Sequence, residues 1–199
     1  MLRTFIFLLA LLCAAPVLAE QPPQRVADTG AIALEPLRRL IDERMALMPD
    51  VARHKWNTRG PIDDLPREQR LIEALKAQAQ LLGIPGAWAE RFFRAQIVGA
   101  KQIQRAHFAR WEQAGAGTFD EVPDLVTVIR PRLDALTPQL LRELAVAWPA
   151  LADPAQRTRI EAVMSKLNNA TPEAAAIAIA PLIDGSAYQI AAGAAAAKP

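Results

Sequence analysis

From residue 34 onward, apolar side chains return in steps of three and four: Leu34, Leu37, Ile41, then Met48 and Val51. That spacing predicts an amphipathic helix running to about Trp56 with one face turned into a core. Two members of the same stripe are cations, Arg44 and Lys55. An unpartnered charge is costly in a core, so two on one stripe require a shared anion or a local counter-charge. The plainer alternatives are that both snorkel to solvent, or that they pair with Asp64 or Glu68.

Proline and glycine punctuate the rest into further helices, and no segment alternates with a period of two. Pro49 lies inside the first helix and is expected to bend it. After Gly60-Pro61 a second helix is expected from about Pro66 to Leu82, with Asp64, Arg67 and Glu68 within one turn of its start. Asp64 reads there as a capping acid. A third helix, from about Ala87 to Gln113, carries Phe93, Ile97, Ala100, Gln104, Phe108 and Trp111 on one face. Gln104 is an uncharged amide in the middle of an apolar stripe, so it needs a hydrogen-bond partner or a ligand oxygen. A loop from Gly115 to Pro123 leads to a fourth helix, Leu125 to Trp148, that contains Pro131 and Pro138. Pro154 and Pro172 open two more helical stretches rich in alanine, and the end from Ala191 to Pro199 reads as frayed. The expected fold is all-α, a single helical domain of about six helices with a long N-terminal helix.

Composition narrows the chemistry. Residues 1–19 read as a cleaved export signal: Arg3 starts it, Phe5 to Cys13 is apolar, and Val17-Leu18-Ala19 precedes Glu20. The run is too short to span a bilayer, and no second one follows. Leu12 before Cys13 argues against a lipid anchor at that cysteine. Without the signal about 180 residues remain, with no cysteine and with 22 basic against 21 acidic side chains. A core alone must hold them, and that length suffices. The near balance of charge gives no reason to bind nucleic acid, nor a membrane once the signal is gone. Any strong positive field must be local. His54 and His107 have no metal-ligand spacing, and there is no Gly-rich phosphate loop or Gly-x-Ser-x-Gly elbow. Covalent, zinc and nucleotide chemistry are therefore poor fits, and no cofactor is expected. What remains is a cationic site within helices, suited to a small dicarboxylate.

Arg44, eleven residues, Lys55-Trp56, Pro61-Ile62, Asp64 and then Arg67-Glu68 resembles the all-helical chorismate mutases. With the export signal, Phe93-x-x-Gln96-Ile97 and the additional C-terminal helices, the chain is similar to their secreted, periplasmic subclass. The resemblance runs from about Leu34 to Leu136 and implies a chorismate mutase type II-like fold. It divides the chain into the export signal (1–19), an extended N-terminal segment (20–30), a chorismate mutase helical core (31–136) and a C-terminal helical extension (137–199). It implies that Arg44, Arg67 and Arg130 grip the two carboxylates of chorismate. Lys55 would hold a carboxylate and the ether oxygen of the breaking bond, with Gln104 on the same oxygen from the other side. Glu68 and the backbone near Asp64 would receive the ring hydroxyl. Aligning Arg130 takes a one-residue gap relative to Asp124-Leu125. Ala100 stands where a secreted relative has a hydroxyl-bearing residue, and a disulfide of some relatives is absent. A homodimer is expected from the resemblance alone.

The reaction so implied, chorismate to prephenate, is an intramolecular pericyclic isomerisation that needs no nucleophile, metal or proton carrier. It needs a flexible dianion held in its reactive form and charge stabilised on the ether oxygen. Two other readings fit part of the pattern. One is a non-enzymatic periplasmic helical binding protein for an anionic metabolite, which has no use for Gln104 opposite Lys55. The other is an isochorismate pyruvate lyase, which shares the helical fold but normally lacks the long C-terminal extension and is not exported.

Overall fold

The long N-terminal helix comes in two pieces. In the computed structural model, which describes the backbone of residues 25–196 and the side chains of residues 34–193, α1 (Arg25–Ala46) is interrupted at Leu47 and continues as α2 (Met48–Thr58). Pro49 sits in the first turn of α2, where a missing N–H costs nothing and the break is accommodated. Residues 25–30, expected to be extended, are the first turns of α1. A single glycine such as Gly30 costs a helix only about 1 kcal/mol against alanine, too little to stop it. The export signal and residues 20–24 lie outside the described residues.

Arg59, in the left-handed region at φ 53°, ends α2, and the Gly60 N–H closes back on the Lys55 carbonyl at 2.8 Å. Helix α3 (Leu65–Leu81) is capped reciprocally. Asp64 accepts from the Arg67 N–H at 3.4 Å, and Glu68 reaches back to the Asp64 N–H at 3.0 Å. Helix α4 (Gly86–Gln113) follows. The expected fourth helix opens as a five-residue π-helical turn, Leu125–Ile129, whose N–H groups at Val126 and Thr127 are capped by Asp124, before α5 (Arg130–Leu151). A 3-10 turn (Pro154–Gln156) leads into α6 (Arg157–Met164), then α7 (Pro172–Ile183) and α8 (Ser186–Ala196), which stays helical across part of the end expected to fray. Among the described residues, taking α1 with α2 and α7 with α8 as single units leaves six helical bodies. Among the described residues there is no strand, and the all-α expectation holds.

One core lies between α1, α3, α4 and α5, around Leu37, Ile41, Ile72, Trp88, Phe92 and Leu144. Trp88 is fully buried and donates its indole N–H to Ser186 Oγ at 3.1 Å, which ties α8 to α4. The C-terminal helices are seated rather than appended. Gly99 of α4 lies so near α7 that a Cβ there would stand 2.8 Å from the Ala174 carbonyl oxygen. The buried Gln96 amide donates to the Ala178 carbonyl at 2.8 Å. By length and composition Pro172–Gly193 could cross a membrane, contrary to the expectation that no second apolar run follows the signal. Its alanines raise the mean hydropathy, yet Ala174, Ala178, Ile179 and Leu182 are buried in the protein's own core.

A second apolar cluster joins Met45, Met48 and Val51 to Ala100, Ile103 and Ile129. It lies beside the polar site.

Candidate active site

All seven side chains singled out in the sequence line one pocket: Arg44, Lys55, Asp64, Arg67, Glu68, Gln104 and Arg130. It encloses about 640 Å³ including its mouth, the size of a small-molecule site. Apolar walls come from Met48, Val51, Leu71, Ile97 and Leu133. Five cations line it, the fifth being Lys101, against two lining carboxylates; Asp134 and Asp63 pair with Arg67 and Lys101 besides, which leaves one positive charge in excess, so the pocket favours an anion.

Arg44 is 8 % exposed, and among the described residues no carboxylate lies within ion-pair distance of it. Its Nη1 makes one long hydrogen bond, 3.5 Å, to Thr137 Oγ1, and its Nε is buried without a partner. Burial first, then the neighbouring Arg67 guanidinium, pushes its pKa down to about 10, against a smaller opposing pull from Asp134. Lys55 is half-buried and donates from Nζ to the Ile62 carbonyl at 2.7 Å. Burial lowers its pKa, while the nearby Asp64 carboxylate works in the opposite direction. Among the described residues Arg44 therefore neither reaches solvent nor is matched by an ion pair, whereas Lys55 is half-buried, makes no ion pair and feels the Asp64 and Glu68 carboxylates at longer range.

The other residues frame these two. Arg67 reaches Asp134 on α5 at 3.1 Å, and Arg130 reaches Asp64 at 3.1 Å while its Nε stays buried and unpartnered. Glu68 takes the Asp64 N–H on Oε1 and the Lys101 ammonium on Oε2 at 2.7 Å. Gln104 makes only weak use of its amide: Nε2 donates to the Ala100 carbonyl at 3.3 Å and to Met48 Sδ at 3.6 Å, and Oε1 is buried without a partner. Under-satisfied groups in a polar pocket are what an absent ligand would complete.

Arg130 arrives by way of the π-helical turn. A π turn accommodates one residue more than an α-helical turn, and it lies between Asp124 and Arg130, where the alignment takes its one-residue gap. His54, which had no role in the sequence reading, accepts the Leu125 N–H on Nδ1 at 3.3 Å and ties α2 to that turn. Lys101, Thr137 and Asp134 escaped the sequence reading. Lys101 stands three residues before Gln104 on the same helix, a spacing that by itself does not mark it out. Among the described residues no cluster of histidine, cysteine and acidic side chains is placed to hold a metal ion.

The family model for chorismate mutase type II matches residues 35–105, the stretch that carries six of the seven residues. The secreted chorismate mutase of Mycolicibacterium smegmatis is 29% identical over 163 residues, covering 82% of this chain and 89% of the relative. Among solved structures, the chorismate mutase from Burkholderia thailandensis superposes with a TM-score of 0.69 at 35% identity, covering 75% of this chain and 98% of that one. The secreted chorismate mutase from Yersinia pestis superposes with a TM-score of 0.61 at 26% identity, over 73% and 94% of the two chains.

Proposed function

The chain belongs to the chorismate mutase type II family, and from that premise we propose that its pocket rearranges chorismate to prephenate outside the cytoplasm, by conformational and electrostatic means alone. The location rests on the export signal read in residues 1–19 and on relatives named as secreted.

Arg44 and Arg67 hold one carboxylate of the substrate. Arg67 lowers the pKa of Arg44, which has no ion-pair partner of its own, and an anion between the two guanidinium groups relieves that repulsion. Arg130 holds the second carboxylate through the nitrogen atoms that Asp64 leaves free. Gripping both ends folds the flexible dianion into the conformer in which the new carbon–carbon bond can form. As the C–O bond lengthens, negative charge grows on the ether oxygen. The Lys55 ammonium, braced by the Ile62 carbonyl, and an N–H of Gln104 meet that charge, in a half-closed pocket where such donors are worth several kcal/mol. Glu68, already fixed by two donors, has lone pairs left for the ring hydroxyl.

The observation that carries this reading is the buried, acid-free Arg44 at the base of a pocket with four further cations. The test is to mix protein lacking residues 1–19 with chorismate and follow loss of substrate absorbance and appearance of prephenate. Turnover to prephenate is expected. An unchanged substrate would leave only a binding function, and pyruvate release from isochorismate would move the chain to the lyases.

A further inference from the structure

The hydroxyl end of the pocket contains a cation for which neither substrate carboxylate has been given a use. Lys101 lies on α4 one turn before Gln104, and its side chain is only 12 % exposed. Its Nζ stands 2.7 Å from Glu68 Oε2 and 2.7 Å from Asp63 Oδ1. Glu68 Oε1 is in turn held by the Asp64 N–H. Both oxygens of Glu68 are therefore fixed, one by the start of α3 and one by α4. Asp63 belongs to the same short loop as Ile62, whose carbonyl braces Lys55. Lys101 thus ties α4 to the loop that orients the ether-oxygen donor and to the carboxylate that faces the hydroxyl.

We propose that Lys101 is a positioning residue of this site, holding Glu68 aimed at the ring hydroxyl. This rests on the chorismate reading given above. The arrangement is more than a surface tether. Lys101 and Glu68 are both largely shielded from water, whereas the third member, Asp63, is half exposed and has Arg105 as a second cation at 3.5 Å. Packing of α3 on α4 has its own ion pair elsewhere, Lys76 with Glu90 at 2.8 Å. The expected cost of losing Lys101 is therefore orientation of the site more than stability of the fold.

The experiment compares wild type, Lys101→Met, Lys101→Arg, Glu68→Gln and the Lys101→Met/Glu68→Gln double variant, each checked for fold by circular dichroism. Lys101→Met is expected to lower kcat/KM for chorismate by about tenfold to a hundredfold, the range expected when a site is misplaced by an ångström. Lys101→Arg should recover most of the loss. In the Glu68→Gln background the methionine change should cost less than threefold, on the order expected when two residues act as a unit. A substrate analogue lacking the ring hydroxyl should be turned over equally by wild type and Lys101→Met. Additive losses in the double variant, or the same loss with the analogue, would overturn the proposal and leave Lys101 a structural contact. Full activity of Lys101→Met beside an impaired Glu68→Gln would overturn it while leaving the chorismate reading intact. Wild type without mutase activity would overturn both.

Discussion

Replacing Arg44 by methionine should make the protein more stable and abolish its catalysis. The guanidinium is buried, its pKa is pushed down to about 10, and desolvation is the principal cause. A base with a lower pKa folded than unfolded costs stability at every pH below the folded value, and the cost is relieved only as pH rises from about 10 toward the unfolded value. At neutral pH the cost is therefore felt in full, and a depression of that size corresponds to about 3 kcal/mol. Methionine has similar length, lies against Met48 and Thr137 without a charge, and gives up only one 3.5 Å hydrogen bond. Allowing about 1 kcal/mol for that bond and for imperfect packing leaves a gain of about 2 kcal/mol. For a chain of this size that is a rise in Tm of roughly 4–8 °C. Urea denaturation and thermal melts at pH 7, with and without a non-reacting dicarboxylate analogue of chorismate, measure it. The analogue should raise the Tm of wild type and not that of the variant, and kcat/KM of the variant should fall by at least about three orders of magnitude. A less stable Arg44→Met protein would refute the reasoning, because it would mean that Arg44 is held by compensating interactions rather than poised for an anion.

Lys55 should give the pH profile its alkaline limb: burial lowers its pKa, so kcat/KM falls as pH rises past a value below that of a free lysine, and the residual activity of Lys55→Arg shows no such fall. A wild-type profile that stays flat to about pH 10 would count against this. Gln104→Glu should lose activity at pH 7.5 and regain much of it in acid, where its carboxyl can again donate. A variant as active as wild type at pH 7.5 would remove Gln104 from the ether oxygen. Gly99→Ala should lower stability by about 1–3 kcal/mol, since its Cβ would stand 2.8 Å from the Ala174 carbonyl oxygen; an unchanged Tm would show that α7 can shift freely. Deleting Thr127 should turn the π turn into α-helix and leave Arg130 in the site, because the turn only absorbs one extra residue, so kcat/KM should stay within about threefold of wild type; a loss of about a hundredfold or more would show that the turn itself sets Arg130's direction.

What the sequence disclosed and what it hid divide along range of interaction. Arg44 and Lys55 stood out because a helical period exposes a charge on an apolar stripe, and the pocket holds both. Asp64 and Glu68 were legible because capping is local, and the break near Pro49 because proline geometry is local. Lys101 was not legible: it looks like any helix lysine until Asp63 and Glu68, more than thirty residues earlier, are brought against it. The π turn has no local signature, because its residues are ordinary. The C-terminal helices read as helical from their alanines, but not their seat, which depends on Gly99 and Ala178 meeting across two distant helices. Residues 25–30 are helical although the resemblance implied an extended segment there, because the one glycine among them costs a helix too little to stop it.

The central claim is that a half-buried cation braced against a carbonyl, not a nucleophile or a proton carrier, drives an isomerisation of chorismate. The most direct measurement is the ratio of kcat/KM for wild type and Lys55→Ala, taken on the same substrate with both proteins shown to be folded. The account predicts that wild type forms prephenate and that the variant is slower by about three orders of magnitude or more, about 4 kcal/mol of lost transition-state stabilisation. A folded Lys55→Ala protein that keeps more than about a tenth of wild-type activity would contradict it.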